Sequence, residues 1–229
     1  MSTEPGRITP LLFAVSAVFI AFLIAANIIA VKLVSIAGLI LPAAVVIFPI
    51  TYIFGDILTE VYGFKRARLV IWTGFAANLV VVGAIALAQV LPAASFWKGQ
   101  GAYVQILGQT PRILAGSFAA YLVGEFLNSM VLSRLKLATN GRFLWTRTIG
   151  STLVGQAADS SIFITIAFAG AIPHGALLSL IVTQWLFKVV YEIAATPLTY
   201  LIVGYLKRRE KIDTYDYQVS LNPFRVFDT

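Results

Sequence analysis

LLFAVSAVFIAFLIAANIIAV, residues 11–31, decides the fold, because it runs from end to end without a charged residue. A helix crossing the hydrocarbon core of a bilayer needs about 20 mostly apolar residues at a rise of about 1.5 Å per residue. This stretch meets that length, and Thr9-Pro10 before it has the form of a helix start. It exceeds a signal peptide's apolar region, and no small-residue cleavage site separates it from a soluble mature domain.

Working outward, five more stretches qualify at 39–62, 69–91, 113–135, 148–172 and 176–206. The expected fold class is therefore all-α, a polytopic membrane bundle of six transmembrane helices. Residues 1–206 form one domain in this reading, and residues 207–229 a basic, polar, loosely ordered cytoplasmic tail. Pro49 and Pro197 mark candidate kinks in the second and sixth spans. Composition agrees: of 229 residues 59% are hydrophobic and 12% charged, the mean hydropathy is +0.87, and a soluble domain carries roughly 25% charged residues.

Basic residues set the expected orientation, since short cytoplasmic loops collect Lys and Arg. Arg7, the 65–68 cluster, the 134–147 cluster and the 207–225 cluster fall on one side. Lys32, Lys98 and Arg112 fall on the other. Both termini are expected in the cytoplasm, with the protein multi-pass in a bacterial inner membrane. This distribution also accounts for the net charge of +7 without nucleic acid as a partner. The outer connection, 92–111, carries Phe96, Trp97 and Tyr103 and reads as an interfacial segment or a lid. His174 reads as a solvated loop residue. With no cysteine and one histidine, no metal site, no cofactor and no Ser-His or Cys-His catalysis is expected; an intramembrane hydrolase is the enzymatic alternative set aside on that ground.

Five of the ten acidic residues, Asp56, Glu60, Glu125, Asp159 and Glu192, fall inside the expected spans, with Lys188 as the cation among them. An ionised side chain at mid-span costs about 2.5–3.5 kcal/mol on insertion scales, so these groups must face one another, water or a ligand. Their spacing supports convergence. Asp56 with Glu60 and Lys188 with Glu192 are i,i+4, while Glu125 with Asn128 and Gln156 with Asp159 are i,i+3. So unbalanced a core cannot stay dry and charged; it is expected to hold protons, water or a cationic ligand. Glu60 lies nearest the cytoplasmic interface and reads equally as a partner of Lys65 or Arg66. Lys188 pairs with Glu192 or Asp159, contacts ligand, or both. Asn27, Ser117, Asn128, Ser151, Thr152 and Gln156 also fit ordinary interhelical hydrogen bonding. Ala21 and Ala25 give the first span a face for close contact within the protein or with another subunit.

Four motifs occur in order: FPITYIFGDILTEVYG at 48–63, RILAGSFAAYLVGEFLNS at 112–129, STLVGQAADS at 151–160, and the lone Lys188 before Pro197. Together they resemble the queuosine precursor transporters, also known as vitamin uptake transporters, over roughly residues 10–206. The resemblance implies import of the 7-deazaguanine bases 7-cyano-7-deazaguanine and 7-aminomethyl-7-deazaguanine. It also implies an architecture similar to the substrate-binding components of energy-coupling-factor transporters. Carried over, it points to Asp56, Arg112, Ser117, Tyr121, Glu125, Ser151, Thr152, Asp159 and Lys188 as substrate-binding residues. The polar stripes add Glu60, Asn128, Gln156 and Glu192, and Tyr121 or Trp185 is suited to cover a base by stacking. A guanine-like edge presents adjacent N–H donors that a carboxylate accepts, and acceptors that Lys, Arg or an amide satisfies. The alternative is a substrate-capturing subunit of an energy-coupling-factor type transporter for a vitamin-like molecule. Coupling subunits or a homo-oligomer are the candidate partners, and proton coupling and facilitated diffusion both remain open.

Overall fold

The computed structural model describes residues 8–30, 32–36, 39–108, 111–170 and 173–225; the side chains at 33, 35, 36, 39–42, 111 and 112 are outside that description. Seven α-helices account for most of it: α1 (Pro10–Ile29), α2 (Phe48–Tyr62), α3 (Phe64–Val90), α4 (Gln100–Leu107), α5 (Pro111–Ala138), α6 (Leu144–Phe168) and α7 (His174–Glu210). Thr9 caps α1 by accepting the Leu12 amide at 3.1 Å, and Pro10 occupies the first turn, where its missing N–H costs nothing.

The expected second span is shorter as a helix than its apolar run. Between α1 and α2 lies a two-stranded antiparallel hairpin, β1 (Leu33–Ile36) with β2 (Leu39–Pro42), followed by a 3₁₀ turn at Ala43–Val46. The bundle is helical in class, and this short strand pair is a local departure from the helix expected from residue 39. Val, Leu and Ile runs suit a strand as readily as a buried helix, and periodicity does not separate the two in so short a run. Pro49 lies in the first turn of α2 and kinks nothing, whereas α7 runs unbroken past Pro197.

Five stretches among the described residues are long and apolar enough to cross a membrane: Pro10–Ile29, Ala43–Tyr62, Phe64–Val90, Ile113–Ala138 and His174–Glu210. With the apolar outer faces around Val80, Leu87 and Leu201, they make this a multi-pass membrane bundle. α6 has the length, at 25 residues, but is the more polar helix. Its polarity faces inward, where Thr148, Ser151, Thr152, Gln156, Asp159 and Ser160 are all buried. Its largest interface is with α5, then with α7.

α2 is the enclosed helix, with α1, α3, α5 and α7 all packed on it. One face is apolar: Ile57, Leu58 and Val61 join Phe19 and Leu23 of α1 and Phe64 and Ile71 of α3 in the hydrophobic core. The other face, Tyr52, Asp56, Thr59 and Glu60, repeats every three to four residues and turns to α5, α6 and α7.

Residues 213–223, beyond α7, are fastened to the bundle. The α2–α3 junction turns on Gly63 at φ 85, a backbone that L side chains avoid, and residues 213–223 cover it. Asp216 Oδ2 accepts the Phe64 amide at 3.0 Å, capping α3, and the Ser133 hydroxyl at 2.7 Å. Arg68 donates to the carbonyls of Ser220 and Asn222, and Trp72 Nε1 to that of Pro223. A polar composition signalled a loosely ordered tail; carbonyls of that tail accept from the buried Arg68 and the half-buried Trp72.

Candidate functional site

Four helices each bring a stripe at helical spacing: Tyr52, Asp56 and Glu60 on α2; Ser117, Gly124, Glu125, Asn128 and Lys136 on α5; Ser151, Gln156 and Asp159 on α6; Gln184, Lys188, Glu192 and Lys207 on α7. Glycine lets the first three meet. A methyl group on Gly155 would come within 2.7 Å of Asn128 Cβ and 2.8 Å of the Gly124 carbonyl oxygen. On Gly124 one would fall 2.8 Å from Asp159 Cβ, and on Gly55 it would overlap Glu125 Oε1.

At one end the stripes border a cavity of about 400 Å³, within the few-hundred Å³ range of small-molecule sites. Asp159 and Lys188 form a hydrogen-bonded ion pair on its wall, each only 3% exposed. The Lys188 ammonium also sits 4.8 Å from the centre of the Phe48 ring. Ser117 and Gln184 add neutral polar groups, Phe163 an aromatic ring, and Gln105 of α4 and Gly108 border the cavity on the side of the 92–111 connection. A carboxylate, an ammonium, an amide and a hydroxyl beside the rings of Phe48, Phe163 and Phe168 suit a flat, polar heterocycle.

Of the fourteen expected site residues, Ser117, Asp159 and Lys188 line this cavity. Next to it lies a buried layer. Asn128 donates to Asp56 Oδ1 at 2.6 Å, while Glu125, Glu192, Thr152 and Gln156 complete the layer. Ser151 donates to the Thr148 carbonyl and Tyr121 to that of Ile71, at 2.9 Å each, so both hydroxyls are spent on the backbone. Trp185 Nε1 donates to the Leu153 carbonyl, away from the cavity. The Arg112 side chain and Arg7 lie outside the described residues.

Glu60 anchors the opposite end. Arg147 grips it with two bonds of 2.6 and 2.7 Å, Lys207 binds it at 2.5 Å and Lys136 lies at 3.6 Å. Its partners are these three residues of α5, α6 and α7, not Lys65 or Arg66. Lys136 and Lys207 also reach Asp213 at 2.5 and 2.9 Å, tying the tail to the bundle. Burial opposes ionisation of Asp213, but those two ammonium groups outweigh it and hold its carboxyl below the usual range.

Sequence reading missed Gln184, Phe48 and Phe163. Gln184 is four residues before Lys188 and Phe163 four after Asp159, so extending each polar stripe by one turn finds them. Phe48 carries no such signal, because an aromatic at a helix start reads as core. Among the described residues no cluster of three His, Cys, Asp or Glu side chains is placed to hold a metal ion.

Long apolar helices packed around a cavity that carries Asp159 and Lys188 on its wall have the form of a membrane transporter. The family model described as "Putative vitamin uptake transporter" matches residues 42–202. A Bacillus subtilis protein named "Probable queuosine precursor transporter" is 31% identical over 77% of this chain and 78% of its own length. The Escherichia coli "Queuosine precursor transporter" is 29% identical over 53% of this chain and 52% of its own. For a Haemophilus influenzae relative named as the Bacillus one is, the figures are 30%, 53% and 49%. The chain belongs to this vitamin uptake, or queuosine precursor, transporter family, a family of transporters and not of enzymes. No solved structure matches the chain.

Proposed function

We propose that the protein imports queuosine precursors, 7-cyano-7-deazaguanine or 7-aminomethyl-7-deazaguanine, across a bacterial inner membrane through the cavity beside Asp159 and Lys188. The observation that carries this reading is the Asp159–Lys188 pair on the wall of a 400 Å³ cavity with Phe48 and Phe163, in a chain whose relatives bear that substrate in their names. Asp159 accepts the paired N–H donors of the base, Lys188 donates to its carbonyl or ring nitrogen, and Ser117 and Gln184 complete the edge. α6 supplies the fifth of six spans in this reading, and α7 the sixth. The basic end, with Lys136, Arg147 and Lys207, faces the cytoplasm together with both termini, so the cavity lies nearer the outside. α4, whose Gln105 borders the cavity, is placed to act as its lid.

Uptake of labelled base into queuosine-deficient cells tests this. Wild type accumulates the base, and Asp159→Asn and Lys188→Met each lose tenfold or more at equal membrane expression, the equivalent of about 1.4 kcal/mol. Unchanged uptake in both variants defeats the site, and no uptake by wild type defeats the substrate. A second reading makes the chain the capturing subunit of an energised complex. It draws on the small, exposed Ala14, Ala17 and Ala21 along one face of α1. Uptake by this chain alone in a host lacking such a complex excludes it.

A further inference from the structure

One turn inward from the cavity the bundle holds carboxyl groups that the cavity does not use. Glu192 follows Lys188 by four residues on the same face of α7, about 6 Å along the axis. Glu125 follows Gly124, the residue packed on Asp159, and Asp56 stands across from it on α2. None is more than 1% exposed. Among the described residues, both oxygens of Glu125, both of Glu192 and Oδ2 of Asp56 find no hydrogen-bond partner. Asn128 Oδ1 and Gln156 Oε1, equally buried, also lack a donor. All of these atoms are acceptors, and only the hydroxyls of Tyr52, Thr152 and Ser160 stand unpaired beside them among the described side chains of α2, α5, α6 and α7 in this layer. The layer is short of hydrogens.

It is short of positive charge as well. Lys188 is committed to Asp159, and Lys136, Arg147 and Lys207 to Glu60 at the basic end; Lys207 lies about 22 Å beyond Glu192 along α7. The other titratable groups facing the layer are Tyr52 and Glu60 from α2, Tyr121 from α5 and Asp159 from α6, all without positive charge; α1 carries no titratable side chain. Buried carboxylates without counter-charge are too costly to persist, so each must be neutralised. Among the described residues no three His, Cys, Asp or Glu side chains stand together to hold a metal ion. A proton needs one carboxyl, and the O–H it creates is the donor that Asn128, Gln156 or a second carboxyl lacks.

We propose that Glu125 and Glu192, with Asp56, form a proton-binding site that couples a proton gradient to the passage of substrate through the adjacent cavity. Each carboxylate takes a proton from the cavity side and returns it toward the basic end. Lys188 carries the message: ionised Glu192, one turn away, competes with Asp159 for its ammonium, and protonation removes that competitor. The inference rests on the transporter reading above.

The test uses the full-length protein in proteoliposomes with labelled 7-cyano-7-deazaguanine. It reads the ratio of uptake with an interior one pH unit more alkaline to uptake without a gradient. Coupling to one proton permits up to about tenfold accumulation per pH unit. Wild type should show a severalfold ratio, Glu125→Gln and Glu192→Gln a ratio near one, and Glu125→Asp an intermediate one. Infrared difference spectra of the purified protein without substrate supply a second readout, a protonated-carboxyl band at neutral pH that shrinks in both Gln variants. A wild-type ratio of one, Gln variants that keep the wild-type ratio, or the absence of that band overturns the proposal. If the base never enters wild-type vesicles with or without a gradient, the substrate reading fails instead, and the infrared band alone decides the proton site.

Discussion

Glu60 shows what a single buried carboxylate does when its counter-charges are supplied. Three cations from α5, α6 and α7 converge on it, so it joins at one point helices that are far apart in sequence. Removing one member of such a network strands the others and costs about 3–5 kcal/mol. Glu60→Gln should therefore lower the unfolding midpoint in detergent sharply, and Lys207→Met, at a residue 22% exposed, should lower it less; equal and negligible shifts would contradict the network's role. Asp213 carries a pH dependence. Its carboxyl is held below the usual range by Lys136 and Lys207, so the folded state gains from its ionisation. That gain is complete above the unfolded value of about 3.9 and is lost as pH falls through the lowered folded value. Hydrogen exchange of residues 213–223 should stay slow at neutral pH and quicken only in acid below about pH 4, an effect Asp213→Asn brings to neutral pH.

Helix α6 matters more than its hydropathy indicates, and its neighbour α5 is the reason. Gly124 and Gly155 allow these two helices the approach that puts Asp159 beside the α5 stripe. Overpacking such a contact costs about 1–3 kcal/mol. Gly155→Ala should thus lower both thermal stability and base binding, while Gly175→Ala, which meets nothing within 4 Å, changes neither; equal behaviour of the two would deny the glycine contact its role. The helical stripes were legible in the sequence, because polar residues in an apolar span repeat at a period nothing else explains: Lys188 with Glu192, and Gln156 with Asp159. The strand pair Leu33–Ile36 and Leu39–Pro42 was not, since a short apolar run fits strand and helix alike. Nor was the fastening of residues 213–223, whose bonds to Arg68 and Trp72 run largely through backbone carbonyls that every sequence possesses.

The molecule as a whole has two unlike ends joined by polar stripes, a cavity with Asp159 and Lys188 at one and the Glu60 network at the other. The sequence puts Glu125, Asp159 and Lys188 inside the expected spans. It did not reveal that Asp159 and Lys188 face the cavity while Glu125 points into the layer beside it, because depth along a helix leaves lateral neighbours unspecified. Orientation in the membrane is checked directly, since the chain has no cysteine. An impermeant thiol reagent should label Lys98→Cys in intact cells and Lys211→Cys only after permeabilisation. The central claim is that the cavity beside Asp159 and Lys188 is where a deazaguanine base binds. Equilibrium binding of labelled 7-cyano-7-deazaguanine to purified protein tests it, comparing wild type with Ser117→Trp, which fills the cavity, and with Leu201→Trp on the exposed face of α7. The account predicts binding by wild type and Leu201→Trp and none by Ser117→Trp; binding of equal strength in all three would contradict it.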